Sequence, residues 1–145
     1  MQDIDELVDI RIEMRNERES PEGINQALFR KNTYTYYRSH MADGSFVSWV
    51  AVEDGKIVSV SGMCFYKVPT TYSNMSGLVA YVMSVYTKPE YRRRGTAQAL
   101  FDYLLAEAKS RGCAEITLNA SSMGRPLYEK FGFTANSQAM KLHLQ

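Results

Sequence analysis

The sequence predicts one mixed α/β domain of helices and strands over residues 1–145. Three observations carry this. Several long segments repeat their apolar residues at helical spacing. Others are β-branched and aromatic runs bounded by turn residues. Two such runs flank Asp54-Gly55, a strong hairpin signal. With 145 residues and 45% hydrophobic content, the chain is long enough to bury a core of its own.

The elements follow in the order α-α-β-β-β-α-β-α-β. Asp3 followed by Glu6 resembles a capping box. Ile4, Leu7, Val8, Ile12 and Met14 then place a helix over 4–18. "SPEG" (Ser20 to Gly23) interrupts it, and a second helix runs from Asn25 to Met41. Asp43-Gly44 is a turn, and the hairpin "SFVSWVAVEDGKIVSVSGMCFY" follows it. Lys67 to Gly77 is a polar loop. Leu78 to Thr87 is nearly all apolar, as suits a strand covered on both faces. Ala97, Leu100, Phe101, Leu104, Leu105 and Ala108 make one buried stripe of a helix over 97–111, with Gly112 as its stop. Ala114 to Ala120 reads as a strand and Gly124 to Phe133 as a short helix ending near Gly132. The alternation in "SQAMKLHL" (Ser137 to Leu144) predicts a closing strand.

Composition narrows the function. Lys+Arg 17 against Asp+Glu 16 leaves almost no net charge, which disfavours a nucleic-acid partner. No apolar run approaches the roughly 20 residues of a membrane span, and the acidic N-terminus is unlike a secretory signal. Cys64 and Cys113 lie far apart without a CxxC pattern and read as free thiols of a cytoplasmic protein. His40 and His143 are equally separated, so no metal site is expected.

Against this neutral background "KPEYRRRGTAQALF" (Lys88 to Phe101) stands out. Three arginines precede a glycine and a helix start, the end of a helix that already carries partial positive charge. A strand, a glycine loop and a helix N-terminus converge free N–H groups on an anion. Arg93 and Arg94 add charge-assisted donors for phosphate. A solvated surface loop with a plain turn glycine is an equal reading of the spacing alone. Neither a P-loop nor a dinucleotide fingerprint is present.

Arg92-Arg93-Arg94-Gly95-Thr96-Ala97 resembles the R/Q-x-x-G-x-G/A signature of the GNAT acyltransferases (GCN5-related N-acetyltransferases). Leu127 to Phe133, "LYEKFGF", is similar to that family's second hallmark, LYxxxGF. A helix and a strand separate the two, as in the family. The resemblance covers about residues 45–144 well and the N-terminal helices loosely. It implies a GNAT fold, of the α+β type with a mixed, mostly antiparallel central sheet flanked by helices. It also implies an acetyl-CoA-dependent N-acetyltransferase acting on a primary amine of a small molecule, by direct attack in a ternary complex. The pyrophosphate would rest on the amides of Arg93, Arg94, Gly95, Thr96 and Ala97, with Arg92 alternatively a structural anchor of the loop. Val85 and Tyr86 would contact the pantetheine arm, added to the strand edge like another strand. Tyr128 would protonate the departing thiolate; its other reading is an aromatic core residue. Small members of the family often dimerise through sheet edges, so a homodimer is one expected arrangement.

The sequence also departs from the family pattern. Many members carry a glutamate base where this chain has Met83. Ser84, an ordered water, or Glu13, Glu17 or Glu22 are the alternatives. Where the family often has an asparagine contacting the coenzyme arm, this chain has Ser121, with Ser122 and Asn119 nearby. Either serine is equally placed to cap a helix. The family usually begins with a β-strand before the first helix, whereas this sequence starts almost on the helix. For the acceptor pocket the resemblance offers Phe29, Tyr34, Tyr36, Tyr37, Tyr66, Tyr72 and Met75. Most of these are equally well explained as core aromatics, and Arg30, Arg38 and Lys67 as a solvated face. Two other functions remain: a non-catalytic coenzyme A binding module, and acetylation of a protein or peptide amine.

Overall fold

The computed structural model describes residues 4–136 and 138–144. Helix α1 (Ile4–Arg18) buries Leu7, Val8, Ile10 and Met14. The expected cap residue Asp3 lies outside the described residues. Helix α2 (Gln26–Ala42) starts where Asn25 accepts a 3.0 Å hydrogen bond from the Leu28 amide, which satisfies one of the free donors of the first turn.

Strands β1 (Phe46–Glu53) and β2 (Lys56–Lys67) form the predicted hairpin. Asp54 and Gly55 both take positive φ, 52° and 76°, the geometry that matches the twist of the flanking strands. Strand β3 (Leu78–Thr87) pairs antiparallel with β2, and β4 (Glu115–Thr117) adds to its other edge in parallel. The sheet order is therefore β1-β2-β3-β4. A short 3-10 turn (Pro89–Tyr91) leads into the loop before helix α3 (Thr96–Ser110). Helix α3 ends in a Schellman turn. Gly112 has φ 78°, the Cys113 amide donates to Ala108 and the Gly112 amide to Lys109, both at 3.1 Å. Helix α4 (Arg125–Lys130) completes the order.

Each face of the sheet carries its own core. Helices α1 and α2 cover one face, where Val8, Met14, Tyr37, Phe46 and Ile57 pack together. Helices α3 and α4 cover the other, with Met63, Ala80, Val82, Phe101 and Leu104 at its centre. A fully buried Phe101 or Leu104 contributes about 1.5–3 kcal/mol relative to exposure.

Two expectations need correction. The strand expected over Ala114 to Ala120 contracts to Glu115–Thr117. The closing strand expected over Ser137 to Leu144 does not form: residues 138–144 are irregular, and Ser137 lies outside the described residues. Met140, Leu142 and Leu144 are exposed. Alternation makes a strand only where a partner edge of matching length exists, and β4 presents three residues.

Candidate functional site

Strand β3 is paired on both sides only along part of its length. The parallel ladder with β4 runs Val79–Glu115, Ala80–Ile116 and Tyr81–Thr117, and stops there. Beyond Tyr81 the two strands part, leaving the β3 edge from Val82 onward without a β4 partner. The Asn119 side chain donates to the Tyr81 hydroxyl at 2.9 Å, at the point where the strands separate.

A bulge lies just past this point. Met83 pairs with Gly62 and Tyr86 with Val60, so Ser84 and Val85 together oppose Ser61. Ser84 pays for the bend with φ 57°, unusual for a residue with a Cβ. Its hydroxyl is held by Arg11 at 2.7 Å and lies 3.3 Å from the Tyr37 hydroxyl. Opposite, the buried Ser61 hydroxyl has no hydrogen-bond partner among the described residues. The bulge separates neighbouring residues in direction. The Val85 carbonyl accepts a 3.0 Å hydrogen bond from Arg18, whereas the Tyr86 carbonyl accepts one from Ser59 of β2 at 3.2 Å.

The loop after β3 holds a set of free donors. Among the described residues, none of the amides of Arg93, Arg94, Gly95, Thr96 and Ala97 has a hydrogen-bond acceptor; the first helical bond of α3 is Ala99 to the Gly95 carbonyl. Arg93 and Gly95 both have positive φ, 64° and 78°, which turns successive amides toward a common concavity. No atom of the protein lies within 4 Å of where a Gly95 Cβ would stand. The cradle fits a pyrophosphate.

The three arginines divide their work. Arg92 is an anchor: it donates to the Thr87 carbonyl at 2.9 Å and to both carboxylate oxygens of Glu17 at 2.8 and 2.9 Å. Arg94 folds back on its own loop, bonding the Glu90 carbonyl at 3.2 Å and covering the Tyr91 ring. Arg93 is exposed, and its side chain bonds to none of the described residues.

Tyr86 belongs to this anchor rather than to the open edge. Its buried hydroxyl donates to Glu17 at 2.7 Å and Glu13 at 3.0 Å, both on α1. Burial, followed by these two carboxylates, pushes its phenol well above the usual range. The Tyr86 hydrogen bond, then Arg92, hold the Glu17 carboxyl below the usual value. Glu17 is thereby committed to the ionised, doubly bonded form and makes a poor proton acceptor. Glu22 is exposed, and Met83 packs half-buried against the α1 side of the core.

Tyr128 sits on α4, in the core that α3 and α4 share with Ala80 and Val82 of β3. Its ring rests on Phe101 and Phe133 and lies close against Gly124, where a Cβ would meet the ring at 3.0 Å. The residue is 7% exposed, and its hydroxyl bonds to none of the described residues. Burial raises its pKa and the charge of Arg18 opposes that rise. The Ser121 hydroxyl accepts from the Gly124 amide at 3.1 Å in the turn before α4; neither serine caps the helix, whose N-cap residue is Gly124.

The aromatic residues expected at an acceptor pocket are mostly structural. Tyr36, Tyr37 and Phe46 form one packed group, with His40 stacked on Tyr36. Tyr72 and Met75 are exposed, and Arg30 pairs with Asp9. A cavity of about 250 Å³ lies between the end of α1 and the start of α2, lined among others by Ile12, Arg15, Asn16, Glu19, Ile24 and Phe29. Cys64 and Cys113 are free, and burial raises both thiols, which leaves neither as an activated nucleophile. No described helix is long and apolar enough to cross a membrane, and no group of described His, Cys, Asp and Glu residues converges as a metal site.

Sequence reading missed Arg11 and Arg18. The signal was present: Leu7, Arg11, Met14 and Arg18 recur at i, i+4, i+7 and i+11, so two arginines stand on the stripe that faces the sheet.

Comparison with known proteins agrees with this geometry. A sequence model of the Acetyltransferase (GNAT) family matches residues 6–133. The glucosamine 6-phosphate N-acetyltransferase of Trypanosoma brucei brucei is 31% identical over 90 residues, 62% of this chain. The chain spans 59% of that relative's length. A crystal structure of a predicted acetyltransferase with acetyl-CoA from Clostridium acetobutylicum has a TM-score of 0.90 at 32% identity, covering 99% of this chain and 93% of the other. A GCN5-related N-acetyltransferase from Ralstonia eutropha gives 0.86 at 27% identity, covering 99% and 94%.

Proposed function

Because this chain belongs to the GNAT acetyltransferase family, we propose that it transfers acetyl from acetyl-CoA to a primary amine of a small molecule. The observation that carries the reading is the run of five unbonded amides from Arg93 to Ala97, at the start of α3 and beside the open edge of β3. A pyrophosphate on those amides would direct the pantetheine arm along β3 toward Val85, with Arg93 adding a charge-assisted contact. The Val85 backbone faces the opening; Tyr86 and Ser121 contribute through the frame of the site. The similarity to a structure containing acetyl-CoA supports this coenzyme.

The amine attacks the thioester carbonyl directly within a ternary complex. In this reading Tyr128 protonates the sulfur as the C–S bond breaks; a phenol kept neutral by burial, with no acceptor among the described residues, supports it. The amine proton leaves to solvent, since Glu17 is held ionised by Tyr86 and Arg92 and Met83 cannot accept a proton. The half-apolar cavity between α1 and α2 suits the body of a small amine. The related glucosamine 6-phosphate enzyme points to the same substrate class, an amine on a small polar molecule.

Calorimetric titration with acetyl-CoA tests the cradle, with Gly95→Glu as control. The substitution strains a positive-φ position and sets a carboxylate at the amides. Binding by the wild type and loss in the variant support the reading; no binding by the wild type overturns it. A panel of amines assayed for thiol release then separates an enzyme from a coenzyme-binding module.

A further inference from the structure

Arg18 is the last residue of α1, and its guanidinium donates to the Val85 carbonyl at 3.0 Å. That carbonyl is on the stretch of β3 past the final β4 pair, at the bulge. Most other arginines of the α1 and loop region are committed. Arg15 pairs with Glu19, Arg30 with Asp9 and Arg92 with Glu17. Arg18 forms no direct ion pair with a described carboxylate, although its charge adds to those that lower Glu17, and it is exposed. Its single hydrogen bond leaves most of the five guanidinium donors free. An edge carbonyl facing water needs no such partner, because solvent satisfies it at no cost in side-chain entropy. The charge also reaches the Tyr128 phenol, where it acts against burial. One guanidinium is therefore anchored at the open strand edge, and its charge acts on the Tyr128 phenol.

We propose that Arg18 is a second catalytic residue, which stabilises the negative charge released when the thioester is cleaved opposite Tyr128. This rests on the acetyltransferase reading above. In the step, the amine lone pair forms the C–N bond and the carbonyl electron pair moves onto oxygen. The pair returns, the C–S bond breaks and its electrons pass to sulfur. The Tyr128 proton moves to sulfur, giving the free thiol and a phenolate; the amine loses its proton to water and the phenolate regains one from water. Negative charge thus visits oxygen, sulfur and the phenolate in turn, all within the opening that Arg18 borders. A fixed cation there favours each of those states over the neutral ground state.

The test uses the intact chain with acetyl-CoA and an amine that the wild type acetylates. Arg18→Gln, Arg18→Lys, Tyr128→Phe and the Arg18→Gln/Tyr128→Phe double variant are compared by kcat, KM for the amine and calorimetric Kd for acetyl-CoA. Arg18→Gln should lower kcat on the order of 100-fold, the scale for removing one donor that stabilises developing charge. Its acetyl-CoA Kd and amine KM should stay near wild type, Arg18→Lys should recover part of the loss, and the double variant should be little worse than Tyr128→Phe. Unchanged kcat in Arg18→Gln overturns the inference while leaving the acetyltransferase reading intact. So does a loss confined to Kd or KM, which would make Arg18 a ligand-holding or edge-capping residue, and so does a fully additive double variant. A wild type that binds no acetyl-CoA overturns the reading itself.

Discussion

The two halves of β3 share one strand and differ in everything else. From Val79 to Tyr81 the strand is paired on both sides, and Val79 and Ala80 are buried among apolar neighbours. From Val82 to Thr87 it is paired on one side, bulged at Ser84, and surrounded by Arg11, Arg18, Glu13, Glu17 and Arg92. The first half is held by ladder hydrogen bonds and packing. The second replaces a missing strand with side-chain donors from α1, and so keeps an edge that a ligand can take. A single strand can thus be scaffold at one end and site at the other, because the backbone groups that stabilise a sheet are the same groups that bind an added strand.

This contrast can be tested by damaging each half separately. The largest effect is expected at the site. Tyr128→Phe should lower kcat about 10²–10⁴-fold, the usual contribution of a proton-transferring side chain, with acetyl-CoA affinity and melting temperature close to wild type. The same phenol sets a pH expectation. Burial holds its pKa above 10.0, so the proton donor stays loaded through neutral and mildly alkaline pH. Any alkaline fall in wild-type kcat that comes from Tyr128 should lie above that value, and the variant should lack it.

In the closed half the readout reverses. Ala80 is fully buried against the α3 core, so Ala80→Leu overpacks it and should cost about 1–3 kcal/mol in denaturant unfolding. Coenzyme affinity of the folded protein should not change. A large loss of affinity without loss of stability would show that the halves are not separable.

At the bulge, Ser84→Ala removes the oxygen that faces Arg11 and Tyr37. It should destabilise by about 0.5–1.5 kcal/mol, measured by the same unfolding curves. The smallest effect belongs to Glu17. Its folded pKa is depressed below 4.5, so its stabilisation is present above that pH and is lost as pH falls through the lowered folded value. Glu17 is largely exposed, so Glu17→Gln should cost under about 1 kcal/mol at neutral pH, and the difference from wild type should disappear in acid. A difference that persists in acid would assign the effect to packing rather than charge.

The elements with local causes were legible in the sequence. The α1 stripe, the Asp54-Gly55 hairpin and the Gly112 stop of α3 each follow from neighbouring residues, and each is found within a residue of its expected place. The glycine loop was legible because a strand, a positive-φ glycine and a helix start are all local features. Tyr86 was not: period-2 alternation places it on the strand, but the extra residue at Ser84 turns it toward α1. The closing strand failed for the complementary reason. Its alternation is real, but a strand exists only with an edge to pair with, and β4 is too short to provide one.

By itself the sequence determined the helices, the hairpin and the order of elements as far as α4, because these depend on contacts a few residues apart. The tertiary structure alone decided which arginine anchors the loop, and that Arg11 and Arg18 of α1 meet the bulge of β3. Those assignments join residues 67 to 75 positions apart, and no local pattern encodes such a distance. They are fixed only when packing brings a charged side chain to the one carbonyl or carboxylate that can receive it.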